Sequence, residues 1–524
     1  MTSTPSNSRF DFTADVPAAR SLGSVHFIAI GGAGMSGVAR VMLAQGIAVS
    51  GSDAKESLVL TALAAEGAVV HVGHDASHLA GADTVVISSA IREGNVELRE
   101  ARSRGLRVLH RSQALASVMR GSRKVAVAGA NGKTTTTSML TVALQYCGLD
   151  PSFAIGGELA KHGTNAHHGT GDIFVVEADE SDGSFLVYRP EVAIVTNVQP
   201  DHLDFYGTFQ AVQAAYVRFA ATVQPQGLLV TCADDQGSRT LAEVARAAGT
   251  RVITYGTASD ADVRLTELGG AGLRAHAVLL GAGPDSVVLG RFEIGMPGRH
   301  NVLNATAAFV AATEGLGQEP ARVLEGLAAF TGTRRRFEPK GEAAGVRVVD
   351  DYAHNPGKVT AVVETASSLA APGRLIVVFQ PHLYSRTRDF AAELATALSP
   401  ADMVIVMDVY AAREDPLPGV TGALIADRLL EVVERHRSEG VRFVRFVPSW
   451  SDVAPLVAQI AAPGDLVVTV GAGDVTMIGP EILRLLTQRL DPAGEPRRGV
   501  RWGCRHREPG LPPGPRMYAV GPGW

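Results

Sequence analysis

Residues 124–140, Lys-Val-Ala-Val-Ala-Gly-Ala-Asn-Gly-Lys-Thr-Thr-Thr-Thr-Ser-Met-Leu, decide the fold. Positions 125–128 are a short apolar run of the kind that forms a buried strand. A turn follows at Gly129, Ala130, Asn131 and Gly132, and Lys133 opens a segment that reads as a helix to about Cys147. Gly148 stands where a helix C-cap belongs. Strand, glycine turn, Lys-Thr and helix make a phosphate cradle, in which backbone N–H groups from 129 through Thr135 face an anion. Lys133 adds a point charge for the β- and γ-phosphates, and the Thr134 hydroxyl a ligand for Mg²⁺. The spacing is not the common one. Two residues instead of four separate the first Gly from the Gly-Lys pair, and Val127 occupies the usual first-Gly position.

With 524 residues the chain has room for two to four domains, and 46% hydrophobic content supplies real cores. The net charge is −5 with no long basic block, which argues against nucleic acid as a main partner. Cys147, Cys232 and Cys504 share no motif spacing, so neither disulfides nor a zinc site is expected and a reducing compartment is. No apolar run approaches 18 residues, so no membrane insertion is expected and the reading is cytoplasmic.

Residues 1–22 read as a flexible leader, and 23–121 as a Rossmann-like domain. A strand at 26–30 runs into Gly32, Ala33, Gly34, Met35, Ser36 and Gly37, a G-x-G-x-x-G turn, with a helix after it to Ala44. Asp53 lies 21 residues after Gly32, where an acidic residue meets a ribose hydroxyl. By itself the motif favours an NAD-binding domain, as in a nucleotide-dependent dehydrogenase. A later strand, 84–87, ends at Ser88 and Ser89, on the edge where open α/β sheets bind ligands. Two diphosphate sites in one chain suggest that one nucleotide supplies energy while the other is a handle on the substrate.

Residues 122–335 read as the central ATP/Mg²⁺ domain. A strand at 173–176 runs into Glu177, Asp179, Glu180 and Asp182, four acids within six positions. Such a cluster beside a phosphate holds Mg²⁺, and otherwise is a solvated loop. A second strand, 192–197, leads to Asp201 and His202; the two strands are expected to be neighbours, with Glu177 and His202 on the phosphate side. Histidine on the ion leaves Mn²⁺ open as well. His162, His167 and His168 read as a surface loop. Strands are also expected at 227–231, 251–254 and 286–289, and Asn301 opens an Ala-rich helix as a cap or a base reader. Arg334, Arg335 and Arg336 are surface groups or a phosphate clamp. Residues 336–490 form a third, doubly wound α/β domain with strands at 346–349, 374–379, 403–407 and 465–470, each ending in polar residues. Residues 491–524, with seven Pro, seven Gly and six Arg, read as a disordered tail.

Over residues 22–485 the chain resembles the Mur ligases of bacterial cell-wall synthesis. The likeness rests on the 26–37 glycine turn, Ser88-Ser89-Ala90-Ile91, 128–137, Glu177 to Asp182 with Ser184-Phe185, and Asn197 with Asp201-His202. Further signatures are His300-Asn301-Val302-Leu303-Asn304, Arg335-Arg336-Phe337, 350–356, Phe379-Gln380-Pro381-His382 and Gly471-Ala472-Gly473-Asp474. The resemblance implies a three-domain ATP-dependent ligase, monomer or homodimer, that joins L-alanine to UDP-N-acetylmuramate, or in a sister branch a preformed tripeptide.

It implies that Gly32 to Gly37, Asp53, Ser88, Ser89 and Ser184 serve the sugar nucleotide. Lys133 would bind ATP phosphates and Thr134, Glu177 and His202 the metal; Asn301 would meet adenine, Arg336 phosphates and Asp351 the ribose. His354, His382 and Arg386 would face the incoming amino acid, with His354 the candidate base. Asn131 stands where such ligases often have His, and Leu383 where many have a substrate-facing Arg, which leaves Arg386 as the carboxylate contact. Tyr216 occupies the offset at which several sister ligases carry a carbamylated Lys.

Overall fold

The computed structural model describes residues 9–160, 163–282, 287–412, 414–436, 443–489 and 518–519. Three sheets follow one another along the chain. The first holds β1 (Val25–Ile28), β2 (Val49–Asp53), β3 (Val69–Val72), β4 (Thr84–Ile87) and β5 (Arg107–His110). Its order is β3-β2-β1-β4-β5, all parallel. The order reverses between β1 and β4, which makes a crevice at their carboxyl ends.

The second sheet holds β6 (Arg123–Ala128), β7 (Ser152–Ala154), β8 (Ala166–His167), β9 (Ile173–Glu177), β10 (Val192–Val195), β11 (Leu228–Cys232), β12 (Arg251–Gly256), β13 (Val263–Ala271), β14 (Arg274–Gly281) and β15 (Val288–Ile294). Its order is β15-β14-β13-β12-β11-β10-β6-β9-β7-β8. β9 and β10 are therefore not neighbours, contrary to the sequence reading: β6 lies between them and pairs in parallel with both. The reason is the connection between them, which runs through a 3-10 turn at Ser184–Val187 and crosses over the sheet. β6 therefore has a loop from each of its neighbours beside it at the carboxyl edge of the sheet.

The first two sheets share one apolar cluster. Phe27, Leu109, Val176, Phe185 and Tyr216 all belong to it, and the compact unit they build ends at Arg334. Residues 9–22 are part of that unit and not a loose leader. Phe12, Ala19 and Leu22 are buried, and Arg9 pairs with Glu93. Burial of these apolar side chains offsets part of the cost of ordering the segment.

Beneath the first sheet lies a polar core. Glu97 is fully buried and accepts Ser52 Oγ at 2.6 Å, His74 Nδ1 at 3.0 Å and His78 Nδ1 at 2.9 Å, with His26 Nε2 at 3.7 Å. Burial alone would raise its carboxyl, but the close approach of His26 and the hydrogen bonds from Ser52 and His78 outweigh that and bring it down to about 2.

The second unit begins at Arg335. Its sheet holds β16 (Glu338–Ala343), β17 (Val346–Asp351), β18 (Leu375–Gln380), β19 (Met403–Val406), β20 (Phe443–Phe446), β21 (Leu466–Gly471) and β22 (Tyr518–Ala519), in the order β16-β17-β21-β18-β19-β20-β22. Its central strands are parallel and buried on both faces. Of the expected tail only β22 is described; the rest, with Cys504, lies outside the described residues, as does His162.

Candidate active site

The phosphate turn is built by its neighbours. Gly129 has φ 135° and Gly132 φ 87°, values that disfavour a side chain. A Cβ on Gly129 would stand 2.0 Å from Thr196 Oγ1, and one on Gly132 2.5 Å from Asn304 Oδ1. Asn131 N donates to Asn197 Oδ1 at 2.9 Å, and Asn131 Nδ2 to Gln199 Oε1 at 2.9 Å. These residues follow β10, so that strand's loop fixes the turn from the side.

The helix Lys133–Tyr146 starts directly after it, its first turn open toward the cradle. Thr134 to Thr137 are buried there, and the Thr137 and Thr141 hydroxyls donate to carbonyls four residues back. Lys133 Nζ donates to Gly129 O at 2.7 Å and Glu180 Oε1 at 2.8 Å. Burial works against the Lys133 ammonium, but the charges of Glu180, Asp179 and Glu177 outweigh it and hold its pKa above the ordinary value.

Thr134 Oγ1 donates to Glu177 Oε1 at 3.0 Å, and Glu177 Oε2 accepts Gly156 N at 2.6 Å. His202, with φ 54°, places Nε2 3.8 Å from Glu180 Oε1. Glu180 is 2% exposed, and its Oε2 is buried with no hydrogen-bond partner. A buried carboxylate oxygen left so is costly, and a cation beside it removes the cost. Among the described residues no three His, Cys, Asp or Glu side chains form a ready metal cage. Mg²⁺ takes one or two carboxylates and completes its shell with phosphate and water. Thr134, Glu177, His202 and Glu180 carry donor atoms of the kind such an ion takes; Glu180 was not singled out in the sequence because four acids in six positions did not reveal which one turned inward.

The first glycine turn differs. Asp53 Oδ2 accepts Gly31 N at 2.9 Å, so Asp53 secures the turn itself. The helix Ala33–Ala44 begins earlier than expected and includes Gly34 and Gly37. Met35 and Ser36 are buried, Met35 in the core and Ser36 Oγ against Ala33 O. Gly37 is there for close packing: its Cβ would lie 3.2 Å from that of Ala166. Gly34 admits Arg111, whose Nη1 would stand 3.1 Å from a Cβ. Arg111 is a cation at this turn that the sequence reading missed. Its position, directly after the C-terminus of β5, was the available signal.

Ser89 Oγ, exposed after β4, donates to Asp182 Oδ2; Ser88 is half-buried beside it. Ser184 is buried, and its N–H goes to Asp182 Oδ1, so it starts a 3-10 turn and is not placed to meet a substrate. Asn301 is also buried, with Nδ2 donating to Pro297 O at 2.7 Å and Oδ1 accepting Asn304 Nδ2. This backs the helix Arg299–Val310 against the phosphate turn, and gives Asn301 a supporting role in place of an open base edge.

In the second unit, Arg335 and Arg336 both lie over the Tyr352 ring, at 4.7 and 5.3 Å from its centroid. Arg335 also donates to Gly471 O at 2.7 Å. Asp351 accepts Phe337 N and Ala353 N; burial raises its carboxyl, against the pull of Arg336. His354 Nδ1 bonds to Tyr352 O at 2.9 Å and meets the His382 ring edge-on at 5.4 Å, and His382 stacks on Tyr410. Burial, then the Lys358 and Arg386 charges, push the His354 imidazole well below its usual pKa, which keeps it a neutral base at pH 7. Leu383 is buried at φ 69°, a strained backbone for a leucine, and opens the short helix Tyr384–Asp389 that carries Arg386.

Family models for the Mur ligase catalytic, middle and glutamate ligase domains match residues 24–123, 127–312 and 335–473. A UDP-N-acetylmuramate–L-alanine ligase of Kineococcus radiotolerans is 55% identical over 480 residues, 91% of this chain and 99% of that one. The chain belongs to the Mur ligase family. The ligase of the same description from Mycobacterium marinum is 52% identical, over 91% of this chain and 97% of its own. Among solved structures, the UDP-N-acetylmuramate-alanine ligase of Thermotoga maritima is similar at TM-score 0.73 and 28% identity, covering 88% of this chain and 98% of that one. A murein peptide ligase of Psychrobacter arcticus is similar at 0.65 and 25%, covering 90% and 100%. In this Mur ligase the position of Tyr216 is a buried aromatic packed edge-on against Phe185, with no lysine to carbamylate.

Proposed function

We propose that this Mur ligase joins L-alanine to the lactyl carboxylate of UDP-N-acetylmuramate with hydrolysis of ATP to ADP and phosphate. The observation that carries the reading is a pair of glycine turns in one compact unit, of which only the second has a lysine and carboxylates that suit a metal–triphosphate. The first, with Arg111 beside Gly34, suits the less charged diphosphate of a sugar nucleotide.

A carboxylate oxygen is a poor leaving group, so the carboxylate must first take the γ-phosphoryl group and become an acyl phosphate. Lys133 offsets charge on the phosphates in that transfer, and the N–H groups that open the helix, from Gly132 to Thr135, hold them in line. Glu177, His202, Thr134 and Glu180 would hold Mg²⁺ or Mn²⁺, which supplies further charge neutralisation when bound. The alanine amine then attacks the acyl carbon and phosphate leaves. In the C-terminal unit Arg386 is suited to the alanine carboxylate and neutral His354 to removal of the ammonium proton. No helix among the described residues is long and apolar enough to cross a membrane.

The test is phosphate release from ATP and Mg²⁺ with UDP-N-acetylmuramate plus L-alanine, glycine, L-serine or a tripeptide. Release that needs both sugar and L-alanine is expected. Release with the tripeptide alone would instead place the enzyme with the murein peptide ligases, whose fold it shares.

A further inference from the structure

One short turn, residues 179–182, runs between the two glycine turns, and its acidic side chains hold different things. Asp179 Oδ2 accepts Arg111 Nη2 at 2.8 Å, and Arg111 lies against Gly34 of the first turn. Glu180 holds Lys133 of the second. Asp182 accepts Ser89 Oγ and stands 3.3 Å from His110 Nε2, which itself lies 3.2 Å from Ser89 Oγ. His110 Nδ1 is fixed by Ser112 Oγ at 2.8 Å. The turn is also held from behind, where Tyr206 OH donates to Glu180 O at 2.6 Å. His110 is fully buried and Asp182 nearly so.

Buried charged contacts of this kind stabilise a fold less than apolar packing of the same volume. Their cost is understandable if the turn carries information. A ligand that touches Ser89 or the Gly34–Arg111 wall acts on Asp182 or Asp179, and Glu180 lies between them on the same turn.

We propose that His110 and Asp182 are positioning residues that couple occupation of the first glycine turn by the sugar nucleotide to the setting of Lys133 in the second. This rests on the sugar-nucleotide reading of the first turn. Because coupling is reciprocal, a nucleotide on Lys133 must tighten sugar binding by the same factor.

The experiment measures UDP-N-acetylmuramate binding by titration calorimetry, with and without a non-hydrolysable ATP analogue and Mg²⁺. In the parent enzyme the analogue is expected to tighten sugar binding by roughly tenfold. In Asp182→Asn and His110→Asn, sugar affinity without analogue stays within about threefold while the analogue effect falls to near one. Equal sugar affinity with and without analogue in the parent enzyme, or an undiminished analogue effect in both variants, overturns the proposal. No sugar binding to the parent enzyme would instead sink the functional reading. A variant that melts early is replaced by hydrogen exchange on the parent enzyme. There, sugar alone should slow exchange across 179–184, and unchanged exchange counts against coupling.

Discussion

The two glycine turns reach the same task by different routes. The first has its opening N–H secured locally, where Asp53 at the end of the next strand takes the Gly31 N–H and Gly32 sits at an ordinary φ of −62°; its distant neighbours, Arg111 and Ala166, pack against Gly34 and Gly37. The second is enclosed by distant parts of the chain: Thr196 and Asn197 after β10, Asn304 on the helix Arg299–Val310, Glu177 at the end of β9 and Glu180 beyond it. A turn that must grip a triphosphate and a cation needs several fixed partners, and only tertiary structure supplies them.

That contrast can be broken most sharply at the glycines. Gly129→Ala drives a Cβ into Thr196 at a positive φ, and is expected to abolish ATP turnover and lower stability by about 2–3 kcal/mol. Gly32→Ala, whose Cβ would have 3.5 Å to Ala29 O, is expected to leave the melting temperature within error. Urea melts and ATPase assays of both compare the turns directly, and equal damage would erase the distinction.

A smaller effect separates their chemistry. Lys133→Ala is expected to lower kcat by roughly a hundredfold or more, with sugar affinity nearly unchanged. Asp53→Ala is expected to do the reverse: weaker sugar binding by several-fold and about 1 kcal/mol of stability lost as Gly31 N–H loses its acceptor. Loss of both ligands in either variant would mean one site, not two.

The smallest effect is on pH. The Glu97 carboxylate accepts from Ser52, the residue before Asp53, and its pKa is depressed to about 2 from an unfolded value near 4.3. Its contribution is therefore complete above about pH 4.3 and is lost as pH falls through about 2. Glu97→Gln should flatten the fall in melting temperature over that interval. An unchanged slope would show that Glu97 does not anchor the first turn's strand.

Much of this was legible in the sequence where a short apolar run meets a polar or glycine-rich end, as at 84–87, 125–128 and 173–177. The hairpin of β13 and β14 was not. Gly269, Gly270 and Gly272 and the charges around them obscure the alternation that Val263 and Leu265 begin. Lys133, Glu177 and His202 were singled out by motif and spacing. What spacing could not reveal was direction: that Glu180 turns inward, that Met35, Ser36 and Ser184 are buried, and that Arg111 reaches the glycine turn from another strand. Those depend on contacts between residues tens of positions apart.

The threonine run at the start of the phosphate helix has a consequence for how the protein is made. Four β-branched residues in succession, with the Thr137 hydroxyl bonded back to Lys133 O, make a poor autonomous helix. Lys133–Tyr146 is held by the helices Arg299–Val310 and Pro320–Ala328, which are synthesised more than 150 residues later. A nascent chain released before residue 328 would carry the whole glycine-lysine motif and still not bind nucleotide, so ATP competence arrives only near the end of that unit's synthesis.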